Sequence, residues 1–305
     1  AELCVAGKNK LYEYCKQRHI PFKRIGKLLV AHNQEEEAYL EQAINQAKLN
    51  GVNDLELLTT NQLIKIEPAL SATAALPSPS TGIIDVHSYM QSLLAEVENN
   101  QAMFVAQTQL LRAEPNTDGF TVTLDSQGET SQLACQYLIN CEGLHSQKVA
   151  NHIEGLATQH IPQIHWCRGH YFSYSGKSPF TQLIYPIPQG NGLGIHASLD
   201  MGGQLKFGPD TQYIDELEYD VATSLKPKFV EAIQKYFPNL DPEKLQPAYS
   251  GIRPKLQAEH DSFKDFVIQD QKVHGLKGLI NLFGIDSPGL TSSLAIAERV
   301  VKKLL

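Results

Sequence analysis

The sequence has no run approaching the ~18 consecutive apolar residues that a membrane-spanning helix needs, so no such helix is expected. It also has no basic cluster. Its 26 Lys and Arg against 33 Asp and Glu leave a formal charge of −7, and the electrostatic footprint of a nucleic-acid binder is missing. A small-molecule partner is expected instead. The five cysteines (Cys4, Cys15, Cys135, Cys141, Cys167) are odd in number and contain no C-x-x-C pair, which argues against both a disulfide framework and a zinc site. A reducing cytoplasm is the expected compartment, since the opening AELCVAGKNK does not read as a signal peptide. There is no G-x-S-x-G or Cys-centred nucleophile motif, so a hydrolase has no support. His160, His165 and His170 recur every five residues, a spacing that fits neither one helix face nor one strand face, and no metal site is expected. Internal repeats and low-complexity segments are also lacking.

What is present is an alternation of mixed and strand-rich stretches over 305 residues, enough for one large domain or two intimately joined ones. KNKLYEYCKQRH (8–19) reads as the end of an amphipathic helix and FKRIGKLLVAH (22–32) as a branched-residue strand. Asn33 is placed to cap a helix with Glu35 to Glu37 in its first turn, Leu40, Ala43, Ile44 and Ala47 as its buried stripe and Gly51 as its stop. A short helix ends at Pro68, LPSPSTG (76–82) reads as a loop crossing between domains, and DVHSYMQSLLAEVENN is helical. AMFVAQTQLLRAE, GFTVTLDS and CQYLIN form a strand meander, residues 161–225 are strand-rich, and KPKFVEAIQKYF (226–237) is a helix. Seams near 20, 82, 156 and 250 divide this pattern.

KGLINLFGI reads as a strand covered on both faces in a largely parallel sheet. A turn of small residues follows, then a helix for which Ser287 is a candidate cap and Leu290, Leu294, Ala297 and Val301 the apolar stripe. The amides of Gly289 to Ser292 then present a partial positive charge at the carboxyl end of a sheet strand, where α/β sheets bind ligands. Spacing alone equally allows a tight connection with no ligand.

GIDSPGLTSSLAIAERV, YSGIRPKL, FVIQD, LINCEGLHSQKVA, STGIIDVHSY and LIYPIPQGNGLGIHASLDMGGQLKFGPD together resemble, across the whole chain, FAD-dependent oxidoreductases of the D-amino-acid oxidase fold group. The L-2-hydroxyglutarate dehydrogenase/oxidase branch is the nearest in pattern. The resemblance implies a mixed α/β fold in which an FAD-binding domain (1–20, 83–155, 250–305) interleaves with an antiparallel-sheet substrate domain (21–82, 156–249). It implies that Ser287, Pro288, Gly289, Leu290 and Thr291 lie against the flavin ring, where helix-terminal amides stabilise negative charge. By the same resemblance the backbone at Cys141 and Gly143 of LINCEGLHS is expected to pass the diphosphate, with Glu142 an awkward neighbour, and the backbone of Leu110 to meet adenine. The resemblance also assigns Arg253 of GIRP to grip the substrate carboxylate, a task that suits a planar guanidinium fork.

Hydride transfer from a small 2-hydroxy or 2-amino carboxylate to flavin N5 also needs a proton acceptor. Strand alternation sends His196 to the face of Gly194 and Ser198, so it is either that acceptor or a hydrogen-bonded structural histidine. Tyr171, Tyr185 and Tyr249 either line the pocket or pack as aromatics. Oxygen and a quinone both remain open as electron acceptor.

The family's strand, G-x-G-x-x-G turn and helix for the ADP half of FAD are not in these 305 residues. GNGLG (190–194) has strand-rich surroundings and does not replace that unit. Weak or absent FAD retention by the 305 residues alone is therefore expected, along with an exposed apolar strand edge. The rival to the enzyme is a non-catalytic ligand-binding or subunit protein that has kept only the substrate domain.

Overall fold

The computed structural model describes residues 1–52, 55–188 and 194–305; most of GNGLG therefore lies outside the described residues. The first part of the chain runs α1 (Glu2–Gln17), β1 (Phe22–Lys23), β2 (Lys27–Ala31), α2 (Gln34–Leu49), β3 (Leu58–Thr59), α3 (Thr60–Ile66), β4 (Ala74–Ser78), β5 (Ile83–Ile84) and α4 (Val86–Asn99). Local chemistry sets these boundaries. Asn33 caps α2 by accepting the Glu36 amide at 3.0 Å, Asp85 caps α4 through the Ser88 amide at 3.1 Å, and Gly51 supplies a left-handed stop at φ +80°. Of the stripe expected on α2 only Leu40 is fully buried. Residues 76–78, read from sequence as the start of a loop crossing, instead belong to β4, because Ala74 to Leu76 are apolar enough to bury between β2 and β3.

The middle of the chain holds β6 (Thr108–Asn116), β7 (Gly119–Ser126), β8 (Glu129–Cys135), β9 (Leu138–Asn140) and α5 (Ser146–Asn151). The meander is β6-β7-β8. Two details differ from the sequence reading. The strand starts at Thr108, leaving Met103, Phe104 and Val105 exposed, and the polar stretch 129–135 is a strand because it pairs fully with β7.

The remainder runs β10 (His165–Tyr174), β11 (Leu183–Pro186), β12 (Ala197–Leu199), β13 (Leu205–Phe207), β14 (Gln212–Ile214), α6 (Lys226–Gln234), β15 (Leu245–Lys255), β16 (Val267–Gln269), α7 (Gln271–His274), β17 (Leu279–Phe283) and α8 (Gly289–Leu304). The large sheet has the order β14-β10-β13-β12-β11-β2-β4-β3, with β15 also on β10. It keeps the chain as far as Lys255, beyond the seam read near residue 250. One face carries Leu28, Val30, Phe172, Tyr174, Ile184, Ala197, Leu205 and Phe207 against Phe229, Ile233 and Tyr236 in and after α6, forming the main core. No described helix is long and apolar enough to cross a membrane.

In a smaller sheet β17 pairs parallel with β9 and antiparallel with β16, and all five β17 residues are buried, as its continuous apolar run predicts. The stripe on α8 is a correction: Ser292, Ala295, Ile296 and Val300 are buried, while Ala297 and Val301 are exposed and Leu290 is 44% exposed. Helix α1 packs so tightly on α8 that a Cβ at Gly7 would fall on the Thr291 carbonyl and the Ser292 backbone. Close helix approach selects small residues, and it turns a serine rather than a leucine inward.

Candidate functional site

Strand alternation gives the large sheet a second face, and its residues can be read off the ladder row by row. Cys167 of β10 pairs with Arg253 of β15, and Tyr171 with Tyr249, so all four side chains lie on one side. Phe172 of β10 pairs with Phe207 of β13, which pairs with Ala197 of β12, which in turn faces Ile184 of β11. One step along that core row lies the row Tyr249, Tyr171, Gly208, His196, Tyr185. Its rings confirm the register: Tyr171 and Tyr249 stack at 4.6 Å and Tyr185 and His196 at 3.6 Å.

Glycine makes this row possible. A Cβ on Gly208 would lie 2.8 Å from the Tyr171 ring and 2.5 Å from the His170 carbonyl, and its φ of +139° disfavours other residues. Without a side chain there, Tyr171 lies over the sheet. Its hydroxyl is pushed up to about 12, first by burial and then by Tyr249 and Tyr185, with Arg253 opposing. Burial likewise raises Tyr185. Both therefore remain phenols, able to donate a hydrogen bond, at neutral pH.

The Arg253 guanidinium reaches over Gly169, where its Nη2 would stand 3.5 Å from a built Cβ. Nη2 donates to the Asp210 carbonyl at 3.3 Å and approaches Cys167 Sγ at 3.4 Å. Among the described residues Nε and Nη1 have no partner and no carboxylate pairs with the group. Asp210 is itself fixed from behind: its Oδ1 accepts the His170 amide at 2.9 Å and ring Nδ1 at 2.8 Å, and its Oδ2 takes Lys228 Nζ at 2.8 Å. Burial would raise the Asp210 carboxyl, but Lys228 and His170 outweigh it and hold it below its ordinary value.

Two residues past Arg253, the largely buried Lys255 pairs with Asp286 at 2.8 Å. That pair ties the arginine's strand to the turn before α8. Within the turn, Ser287 and Pro288 are exposed, Gly289 and Thr291 partly buried. Ser287 makes no cap, and the Gly289 amide donates to the Asp286 carbonyl at 2.5 Å while Ser292 bonds back to Pro288 at 3.1 Å. The expected four open amides thus reduce to those of Leu290 and Thr291, which have no helical partner by position. Leu290 and Thr291 line a groove of about 600 Å³ together with Gly82, Asp85, Leu199 and Lys206.

Leu110, Cys141 and Glu142 line a second cleft of about 430 Å³ together with Lys148 and His152. Cys141 and Glu142 are exposed, and Gly143 adopts φ +58° with open space around it, so Glu142 is free to turn to solvent.

Sequence reasoning missed the lysines of the sheet face. Lys206 of β13, Ser198 of β12 and Lys27 of β2 share the next row beyond His196. Lys206 Nζ lies 5.2 Å from the Tyr249 ring centre and Lys27 Nζ 5.0 Å from that of Tyr185. The signal was available in GKLLVA, where a lysine alternates with the half-buried Leu29 in an otherwise apolar strand.

The profile of the family described as FAD dependent oxidoreductase matches residues 1–303. The mitochondrial L-2-hydroxyglutarate dehydrogenase of Arabidopsis thaliana is 38% identical over 344 residues, covering 100% of this chain and 71% of its own length. The protein of the same name from Homo sapiens is 25% identical, covering 100% and 75%. Among solved structures, the L-alpha-glycerophosphate oxidase of Mycoplasma pneumoniae with FAD bound superimposes with a TM-score of 0.84 at 22% identity, over 98% of this chain and 78% of that one. Glycine oxidase from Geobacillus kaustophilus gives 0.79 at 15%, over 99% and 79%. These structural likenesses show the fold.

Proposed function

The chain belongs to the FAD-dependent oxidoreductase family, and from that premise we propose that it oxidises L-2-hydroxyglutarate, or a 2-hydroxy acid of that class, to the 2-oxo acid. The observation that carries the substrate side is Arg253: a partly buried guanidinium with Nη2 tied down, two donors unengaged and no acidic partner among the described residues. Its preferred ligand is a carboxylate held by two parallel hydrogen bonds.

The residues present suit FAD. The open first-turn amides of α8 offer donors toward an electron-rich ring edge, and the exposed Ser287 and Pro288 with the side-chain-free Gly289 leave the turn backbone approachable. The cleft at Leu110 and Cys141 is lined by Leu124, Leu138 and Val149 as well as by Lys148, offering apolar surface to a base and a cation to a phosphate. When bound, FAD supplies the acceptor for the hydride removed from the substrate's α-carbon.

The chain's own residues then do four things. Arg253 fixes the substrate's carboxylate, and Asp210, locked by His170 and Lys228, fixes Arg253. His196, buried against Tyr185, receives the hydroxyl proton on its ring nitrogen. Tyr171, kept protonated, donates to the substrate oxygen. The Lys255–Asp286 pair holds the sheet face and the α8 turn at a set distance.

We read the chain as two interleaved domains, an FAD-binding part from 1–20, 83–155 and 250–305 and a substrate part from 21–82 and 156–249, with the large sheet's run to Lys255 lengthening the latter.

The test is steady-state oxidation of the L and D enantiomers of 2-hydroxyglutarate by the protein with added FAD and an artificial electron acceptor. Turnover of the L form with product 2-oxoglutarate is expected. Oxidation of amino acids but of no 2-hydroxy acid would overturn the reading.

A further inference from the structure

Lys27 is anomalous for its position. It sits on the site face of β2, partly buried, with its ammonium over the Tyr185 ring. Burial pushes its pKa down and the neighbouring Cys4 of α1 opposes this; no carboxylate pairs with it among the described residues. A sequestered cation without an anion is costly, and it is compensated when an anionic ligand arrives.

Its place in the ladder says what that ligand is. Counting along β10, Cys167 marks the row of Arg253, Tyr171 the row of His196 and Tyr185, and Ser173 the row of Lys206 and Lys27. The row with the proton acceptor therefore lies between the guanidinium and the ammoniums. Crossing the sheet gives the same order: β15 carries Arg253, His196 immediately precedes β12, and β2 carries Lys27. Carboxylate site, hydroxyl site and a second cation succeed one another on a diagonal. A 2-hydroxydicarboxylate presents its groups in that order: C1 carboxylate, C2 hydroxyl, then a carboxylate at the far end.

Resting on the 2-hydroxy acid reading above, we propose that Lys27 binds the distal carboxylate of the substrate and is the residue by which the enzyme prefers a dicarboxylate to a monocarboxylate of equal length. Lys206, on the same row but over Tyr249, is the rival cation and serves as the comparison.

The experiment measures kcat/KM for L-2-hydroxyglutarate and for L-2-hydroxypentanoate, with added FAD, in the wild type, Lys27→Met, Lys27→Arg and Lys206→Met, together with calorimetric binding of glutarate. The ratio of the two kcat/KM values falls at least about 10-fold in Lys27→Met, the loss of one charge-assisted contact. Glutarate binding weakens by a similar factor. Lys27→Arg keeps most of the preference, and Lys206→Met changes the ratio less than about threefold. Circular dichroism checks each variant, and Lys27→Gln replaces the methionine variant should the latter misfold. An equal fall for both acids in Lys27→Met, or transfer of the preference loss to Lys206→Met, overturns the assignment while leaving the 2-hydroxy acid reading standing. Turnover of neither acid by the wild type overturns that reading and the assignment with it.

Discussion

The two faces of the large sheet are made by the same strands, and they do opposite work. Toward α6 the alternate residues are Phe172, Phe207, Ile184, Leu28 and Val30, all with 0% exposure. On the other side the intervening residues are Tyr171, Tyr185, Lys27, Lys206 and Arg253, with glycines 169 and 208 among them. The first face is filled as tightly as its side chains allow. The second is held open at its centre by missing side chains and lined with donors that lack acidic partners among the described residues. Stability and chemistry are thus separated by one residue of strand register, because successive side chains point to opposite sides.

Substitutions on each face sharpen that contrast. The largest effect is expected from Phe207→Ala, which empties a fully buried position in the core; unfolding free energy in urea falls by about 3–5 kcal/mol, while turnover per folded molecule stays near the wild-type value. Arg253→Ala reverses the signature. Here kcat/KM drops about 10²–10³-fold, the scale for one essential charge-stabilising group, and the melting temperature shifts little because the side chain is only partly buried. A melting shift as large as that of Phe207→Ala would abolish the distinction between the faces.

Asp210 touches both sides, since its carboxylate faces His170 and Lys228 and its carbonyl faces Arg253. Asp210→Asn is expected to cost about 1–3 kcal/mol of stability at neutral pH and to raise KM more than it lowers kcat. The pH dependence has a definite sign. The folded carboxyl is held below its unfolded value, so its contribution is present above the unfolded pKa of about 4 and is lost as pH falls through the lower folded pKa. Acid melting curves of Asp210→Asn should be flatter than the wild type's in that window; parallel curves would remove Asp210 from the account. The smallest effect is expected at a site belonging to neither face: Asn33→Ala removes the α2 cap, costs about 1 kcal/mol, and leaves kcat/KM alone.

Much of this was legible in the sequence, for reasons specific to each residue. Asn33 was readable as a cap because a cap needs only its own helix. The continuous apolar run of β17 announced burial on both faces, and it is buried throughout. The stripe on α8 was misread because hydrophobicity marks a face only when neighbours leave room for large side chains. Against Gly7 of α1 the helices meet too closely for that, and Ser292 goes inside. Lys27 escaped notice for a related reason: in a strand it looks like an ordinary polar interruption, and its lack of an acidic partner among the described residues is visible only once the neighbouring strands are in place.

The sequence by itself determined the Asn33 cap, the buried run of β17 and the side of each strand on which a residue lies, because these depend on bonded geometry within a few residues. Only the tertiary structure decided that Arg253, Tyr171, His196, Tyr185 and Lys27 share one face, and that this face is tied to the α8 turn through Lys255 and Asp286. Those relations join residues from β2 to β17 and beyond, brought together by ladder register and core packing, and no local pattern encodes the distance between them.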